Sequence, residues 1–158
     1  MRLLLVALIA LTSSAFAFAS DVKVVRVWPG YRTADSFMRI SEYFTGKENP
    51  GRKKTLLRSR PEQRAGFYFL TRVANTGAAL PDGTIELHVI TPRSPKESVF
   101  TFKTVVPHGH NVFEVGLTGP DWPVASEHPV AWRIAVLASD GHELATEQSF
   151  LWSKPDRP

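Results

Sequence analysis

Two histidines separated by one glycine, His108 and His110, come nearest in type and spacing to a metal site. Imidazole nitrogens ligate zinc, and a zinc site needs three or four ligands that converge at about 2.0–2.3 Å. The pair supplies two ligands, and its surroundings match no known spacing for a third. Metal binding through His108 and His110 is therefore a weak hypothesis. The alternative is that both side chains are solvated in a loop.

Complete catalytic motifs are missing from the sequence. His142-Glu143 begins like the zinc-protease pattern H-E-x-x-H, but the fifth position is Thr146 instead of histidine. No nucleophile elbow, phosphate-binding loop or dinucleotide-binding glycine pattern occurs. We therefore predict that the protein is not an enzyme and that it takes no cofactor.

A basic segment is the strongest local anomaly of charge. Residues 51–64 hold six basic side chains against the single acid Glu62. They are Arg52, Lys53, Lys54, Arg58, Arg60 and Arg64. Such a run is typical of a strip that binds acidic envelope polymers or lipid head groups. The alternatives are a solvated loop or a sheet edge guarded against pairing. A nucleic-acid partner is not expected, because no aromatic residues are interleaved for stacking.

Three aromatic residues, Trp28, Tyr31 and Trp122, fall in predicted loops beside prolines and glycines. An exposed ring there would stack on a sugar or anchor a partner. The alternative is that each ring covers one end of the hydrophobic core. Trp132 and Trp152, in contrast, occupy inward positions of predicted strands.

The first 19 residues have the order of a secretory signal peptide: a basic start at Arg2, an apolar run from Leu3 to Leu11, and Ala17-Phe18-Ala19. We expect cleavage after Ala19 and export to the periplasm or the medium. The rival interpretation, an anchoring helix, needs about 20 apolar residues, more than this run provides. No later segment is apolar enough for an anchor. With no cysteine in the chain, the exported protein needs a hydrophobic core without disulfides.

Residues 20–158 fit one domain, and alternation of apolar and polar residues dominates them after residue 66. Ile85, Leu87 and Val89 share one predicted strand face, and similar alternation recurs at 99–106, 111–118, 130–138 and 143–152. In the last two of these strands, Val130 and Phe150 are predicted to point inward. The Asp140-Gly141 pair predicts a tight hairpin, and residues 107–111 are interpreted as a second hairpin tip. The pattern predicts an all-β, immunoglobulin- or fibronectin-III-like antiparallel sandwich of seven to nine strands.

The first third of the mature chain is less regular. Residues 22–28 predict an edge strand in which a bulge between Val24 and Val25 shifts the apolar face and carries the strand from one sheet to the other. Helical spacing predicts a short helix near residues 35–45, with a strand as the alternative. Residues 47–64 are interpreted as a basic loop that contains one edge strand, Lys54–Arg58.

These patterns favour an exported, non-enzymatic binding or adaptor module for a protein or an envelope component. The first alternative is a carbohydrate- or anionic-polymer-binding module that uses the loop tryptophans and the basic segment. The second alternative is a metal-binding protein. The oligomeric state stays open at this level.

Overall fold

The structure, a computed structural model, describes residues 21–37 and 54–152. The predicted signal peptide, most of the predicted helix near 35–45, and Arg52 and Lys53 lie outside the described residues. Within the described ranges, no helix is long and apolar enough to cross a membrane.

The described residues form eight strands in two sheets of four. Their bounds are β1 Val22–Arg32, β2 Lys54–Arg58, β3 Gly66–Asn75, β4 Leu80–Thr91, β5 Ser94–Val106, β6 Gly109–Thr118, β7 Ala131–Leu137 and β8 Glu143–Gln148. Sheet 1 has the order β1-β3-β6-β2, and sheet 2 has the order β5-β4-β7-β8. Neighbouring strands are antiparallel except β2 and β6, which are parallel.

This architecture is the all-β sandwich that the sequence predicts. In an immunoglobulin constant-type sandwich, strands A, B, E and D form one sheet and C, F and G the other. Here β1, β3 and β6 take the places of A, B and E, and β4, β7 and β8 take those of C, F and G. β2 occupies the place of D but runs parallel to its neighbour β6, and in the chain it comes between β1 and β3 instead of after β6.

The core lies between the sheets and consists of the alternating inward residues of their central strands. Its largest fully buried members include Phe67, Phe69, Ile85, Leu87, Phe113, Leu117 and Ile134. Successive residues of a strand point to opposite faces, so this alternation buries one face of each sheet. The inward faces predicted for β4, β5 and β6 are confirmed in their central residues.

The chain crosses between the sheets at residues 107–108, where the sequence suggests a hairpin. That interpretation is wrong, because β5 pairs with β4 in sheet 2 whereas β6 pairs with β3 in sheet 1. Gly109 has φ 91°, and the Asn111 side-chain amide donates to the Pro107 carbonyl oxygen at 2.8 Å, which holds the corner. Alternation reports which residues face the core, but it does not identify the partner strand.

β1 contains the predicted bulge, with a register shift between Val24 and Arg26. β1 also lies at a sheet edge, as expected. It does not cross to the other sheet, because it stays paired with β3 from Val22 to Arg32. The extra residue, Val25, lets Val24 face the core and Arg26 face outward, and the strand stays in sheet 1.

Local structure departs from the predictions in two further places. Where the helix is predicted, the described part is a short 3₁₀ turn, Ala34–Phe37. β8 ends at Gln148, so Phe150 is 83% exposed instead of inward, and Val130 is 45% exposed before β7 begins. The Asp140-Gly141 hairpin between β7 and β8 is confirmed, with Gly141 at φ 84°.

Candidate functional site on the outer face of sheet 1

Arg26, Trp28 and Arg72, here called the Trp28 cluster, lie on the face of sheet 1 that points away from the core. The register sets Arg26 opposite Arg72 and Trp28 opposite Leu70. The guanidinium carbons of Arg26 and Arg72 lie 5.0 and 5.5 Å from the centre of the Trp28 ring. Both distances are within the range of a cation–π interaction. The cluster thus combines an aromatic ring, 37% exposed, with two cations at the protein surface.

A buried tyrosine anchors the neighbouring part of the same face. Tyr68 packs against Phe37 with ring centres 4.7 Å apart. Its hydroxyl accepts a hydrogen bond from Arg58 Nε at 2.9 Å and donates to the Arg64 carbonyl oxygen at 2.7 Å. Burial raises the pKa of Tyr68, while the hydrogen bond and charge of Arg58 act to lower it. The phenol therefore stays neutral and fixes the segment that follows β2.

The outer face of sheet 1 is strongly basic. Outward positions of its described strands carry six basic side chains, which are Lys23, Arg26, Arg32, Lys54, Arg58 and Arg72. Among the same outward positions, Glu114 is the one acidic residue, and it is 7% exposed. Lys54 Nζ lies 3.3 Å and Arg32 Nη1 lies 4.0 Å from Glu114 Oε1. Glu114 holds two of the cations in place and leaves the face with a positive excess.

The predicted basic strip is divided by the fold. Lys54 and Arg58 lie on the outer face of sheet 1, where they contact Glu114 and Tyr68. Arg60 instead pairs with Asp121 at 3.1 Å, beyond the end of β6. Arg64 is exposed. Three of these four residues thus have intramolecular partners, so the segment does not form one uninterrupted anion-binding strip in the described structure.

The three predicted aromatic contacts have three different environments. Trp122 is 2% exposed, and its ring packs 4.7 Å from that of Phe67, so the predicted contact through Trp122 is wrong and the core-covering alternative holds. Tyr31 is half-buried against the core. Trp28 is exposed, but it lies within β1 and not in a loop. A turn-rich segment without alternation, such as the one around Trp122, does not indicate whether its aromatic ring folds back onto the core.

The two histidines lie at the corner that joins sheet 2 to sheet 1. Both are exposed, and His108 Nδ1 lies 2.9 Å from the Gly77 carbonyl oxygen. Among the described residues, no three His, Cys, Asp or Glu side chains are grouped closely enough to hold a metal ion. The third ligand that the metal hypothesis requires is not brought to His108 and His110 within those ranges.

Arg26 and Arg72 are the site residues that sequence reasoning missed. Arg26 and Trp28 are two positions apart in a predicted strand, which already places them on one face. Arg72 joins them only through the pairing of β1 with β3 across the bulge. The apolar–polar alternation within one strand does not predict which residue of a neighbouring strand lies opposite.

Comparisons with known proteins add little to this description. No family model matches the chain, and no curated protein matches it. An immunoglobulin-like protein from Pseudomonas aeruginosa is similar in structure, with 18% identity, 83% of this chain and 96% of that chain covered, and a TM-score of 0.34. A likeness at that score carries no argument about function.

Proposed function

We propose that the protein is an exported, non-enzymatic binding module that holds an acidic polysaccharide of the cell envelope on the outer face of sheet 1. The observation that carries the proposal is the Trp28 cluster, in which Arg26 and Arg72 lie over a partly exposed indole ring. Guanidinium groups bind carboxylates through paired hydrogen bonds, and the exposed part of the indole can contact a sugar ring beside them. The cluster thus offers complementary groups to a carboxylated sugar.

The surroundings of the cluster support a preformed surface. Its three residues project from paired strands, β1 and β3, and not from a loop. Further along the face, Tyr68 is fixed by two hydrogen bonds and Glu114 by two cations. A surface that is already ordered loses little conformational entropy when a ligand binds.

Export is part of the proposal and is supported by the sequence. The N-terminal pattern is that of a signal peptide, and acidic polymers are common ligands outside the cytoplasm. A fold without cysteine needs no disulfide chemistry after export. No catalytic motif competes with a binding role in the sequence.

Binding of alginate, a polymer of uronic acids, tests the proposal directly. We expect the protein to bind alginate oligomers, but not neutral dextran of the same length, in calorimetry and by a change in tryptophan fluorescence. Arg72→Gln and Trp28→Leu should each weaken binding by about tenfold. Added salt should weaken binding in the wild type, because exposed charges are screened.

Arg133→Gln is the matched control for Arg72→Gln. Arg133 lies on the outer face of sheet 2, where it pairs with Glu143, so the substitution removes the same charge from the opposite side of the molecule. Alginate binding should be unchanged in this variant. If alginate binds no better than dextran at low salt, or if Arg133→Gln weakens it as much as Arg72→Gln, the proposed function is wrong.

A further inference from the structure

In the described part of the chain, the two sheets have four edge strands, and three of them carry features that discourage pairing with another chain. β1 has the bulge at Val25 and a proline at position 29. β2 has 5 residues and β8 has 6, which is short for a pairing edge. Bulges, prolines and short length are the usual protections of natural sheet edges. β5 is different, because it has 13 residues and its proline, Pro95, lies only at the start.

β5 is also regular and accessible. It pairs with β4 without a register shift from Ser98 to Thr104. Val99 and Val105 are each 50% exposed on its outward face. On the other side of β5, a cleft of ≈ 330 Å³, lined in part by Leu57, Phe102 and Lys103, separates it from β2. Within the described ranges, no strand pairs with the outer edge of β5.

We propose that a second copy of this chain adds its own β5 to this edge. The two strands would be antiparallel and related by a twofold axis midway between the two copies of Phe100, so that sheet 2 continues from one copy into the other. A twofold contact repeats every interaction, because both copies use the same surface. The partner is identified as a second copy because the sequence of β5 is complementary to itself in this register.

The complementarity comes from charge. With Phe100 opposite Phe100 of the second copy, Glu97 lies opposite Lys103 of the second copy, and Lys103 lies opposite Glu97 of the second copy. Residues 97, 99, 101 and 103 share the outward face, since side chains alternate along a strand. Val99 then faces Thr101 of the second copy, a β-branched pair that suits adjacent strands. Glu97 also contacts His88 within its own copy, and a carboxylate has acceptor sites for both partners.

Cysteine cross-linking tests the register, because the natural chain contains no cysteine. A mixture of Val99→Cys and Thr101→Cys proteins should oxidise to a disulfide-linked heterodimer. A mixture of Val99→Cys and Val105→Cys proteins is the control, since those positions do not face each other in this register. Equal cross-linking in the two mixtures would overturn the proposed register.

Sedimentation velocity tests the charge pairs. Lys103→Glu should raise the dimer dissociation constant by about tenfold, because both charge pairs become repulsive. The exchange of Glu97→Lys together with Lys103→Glu should restore it. Lys96→Glu makes the same charge change at an exposed position that faces Thr104 of the second copy, and it should have little effect. A wild-type protein that stays monomeric at about millimolar concentration, or equal effects of Lys96→Glu and Lys103→Glu, would rule the dimer out.

Discussion

Tyr68 lies between two glycines on the outer face of sheet 1, and only one of the two positions has room for a side chain. Gly30 is its neighbour on β1 and Gly116 its neighbour on β6. A Cβ at Gly116 would lie 2.3 Å from Tyr68 Cε1, whereas a Cβ at Gly30 would have nothing within 4 Å. The ring therefore lies over Gly116, where a side chain is excluded.

Substitution of these glycines tests this packing. Gly116→Ala should lower the free energy of unfolding by roughly 1–3 kcal/mol, because Tyr68 must leave its packed position. Gly30→Ala should leave stability unchanged or raise it slightly, since alanine reduces the entropy of the unfolded chain. Urea denaturation measures both variants. Equal losses of stability in the two variants would show that the position of the Tyr68 ring does not determine the cost of the substitution.

The same tyrosine makes the stability of the fold depend on pH in the alkaline range. Burial raises the pKa of Tyr68 above its ordinary value of 10.0. Above pH 10.0 the unfolded chain therefore binds fewer protons at this group than the folded chain does, and stability falls as the pH rises. The contribution of the neutral Tyr68 side chain to stability is fully present below pH 10.0 and is lost as the pH rises through the raised pKa. Tyr68→Phe removes it, so the stability of the variant should fall less steeply between about pH 9 and about pH 11.

Thermal melts of wild type and Tyr68→Phe across that range provide the measurement. The variant will be less stable near neutral pH, because it loses two hydrogen bonds and leaves Arg58 without the phenol oxygen. The difference between the two proteins should then narrow as the pH rises. A constant or widening difference would contradict the prediction.

At the scale of single strands, the bulge in β1 sets which residues reach the surface. Val24 pairs with Val73 and Arg26 with Arg72, so Val25 is the unpaired extra residue. Deletion of Val25 would join these two pairs into a continuous ladder and keep every other side chain on its present face. We expect this deletion to change the free energy of unfolding by less than about 1 kcal/mol.

Deletion of Val27 is the matched comparison. It also shortens β1 by one residue, but it removes the bulge by placing Val25 opposite Arg72 and Arg26 opposite the buried Thr71, on the inward face. A buried, unpaired guanidinium destabilises a fold by roughly 3–5 kcal/mol. Denaturation of the two deletion variants should therefore separate them clearly, and similar stabilities would show that β1 slips freely along β3.

Strands could be predicted from the sequence where one face is buried and the alternation is long, as in β4 and β6. The prediction failed where contacts distant in sequence decide the outcome. Phe150 continues the alternation of β8, but the strand ends at Gln148 and the ring is left exposed. The turn residues around His108 and His110 predict a hairpin, because such residues signal a reversal of the chain but not which sheet receives it.

The candidate site was predictable only in part, for the same reason. Trp28 is predicted as a contact residue from its type, and that role stays a prediction. Arg72, which completes the cluster, lies 44 positions further along and reaches Trp28 through strand pairing. The turn residues around Trp122 leave both an exposed ring and a core-covering ring open, and the contact with Phe67 shows that the ring belongs to the core.

At the scale of the whole molecule, the first described strand begins after the expected cleavage site at Ala19. The Asp21 carbonyl oxygen accepts a hydrogen bond from the Thr76 amide at 2.9 Å, and β1 begins at Val22. Cleavage after Ala19 would therefore leave β1 intact. We expect the intact mass of the exported protein to correspond to a chain that starts at Ser20. A mass that still includes residues 1–19 would contradict the predicted signal peptide.

The parallel pairing of β2 has a consequence for the order in which the sandwich assembles. β2 contacts β6 through pairs such as Lys54 and Glu114, which are 60 positions apart, whereas β4 and β5 are adjacent in the chain. Pairing over a long separation restricts more of the chain before any contact forms, and it is correspondingly slow. In pulse-labelled hydrogen exchange during refolding, we expect the β4–β5 amides to be protected first and those of β2 last. Protection of β2 together with β4 and β5 would contradict this order. A late β2 would also delay the positioning of Lys54 and Arg58, so the basic face of sheet 1 would be completed only in the final step of folding.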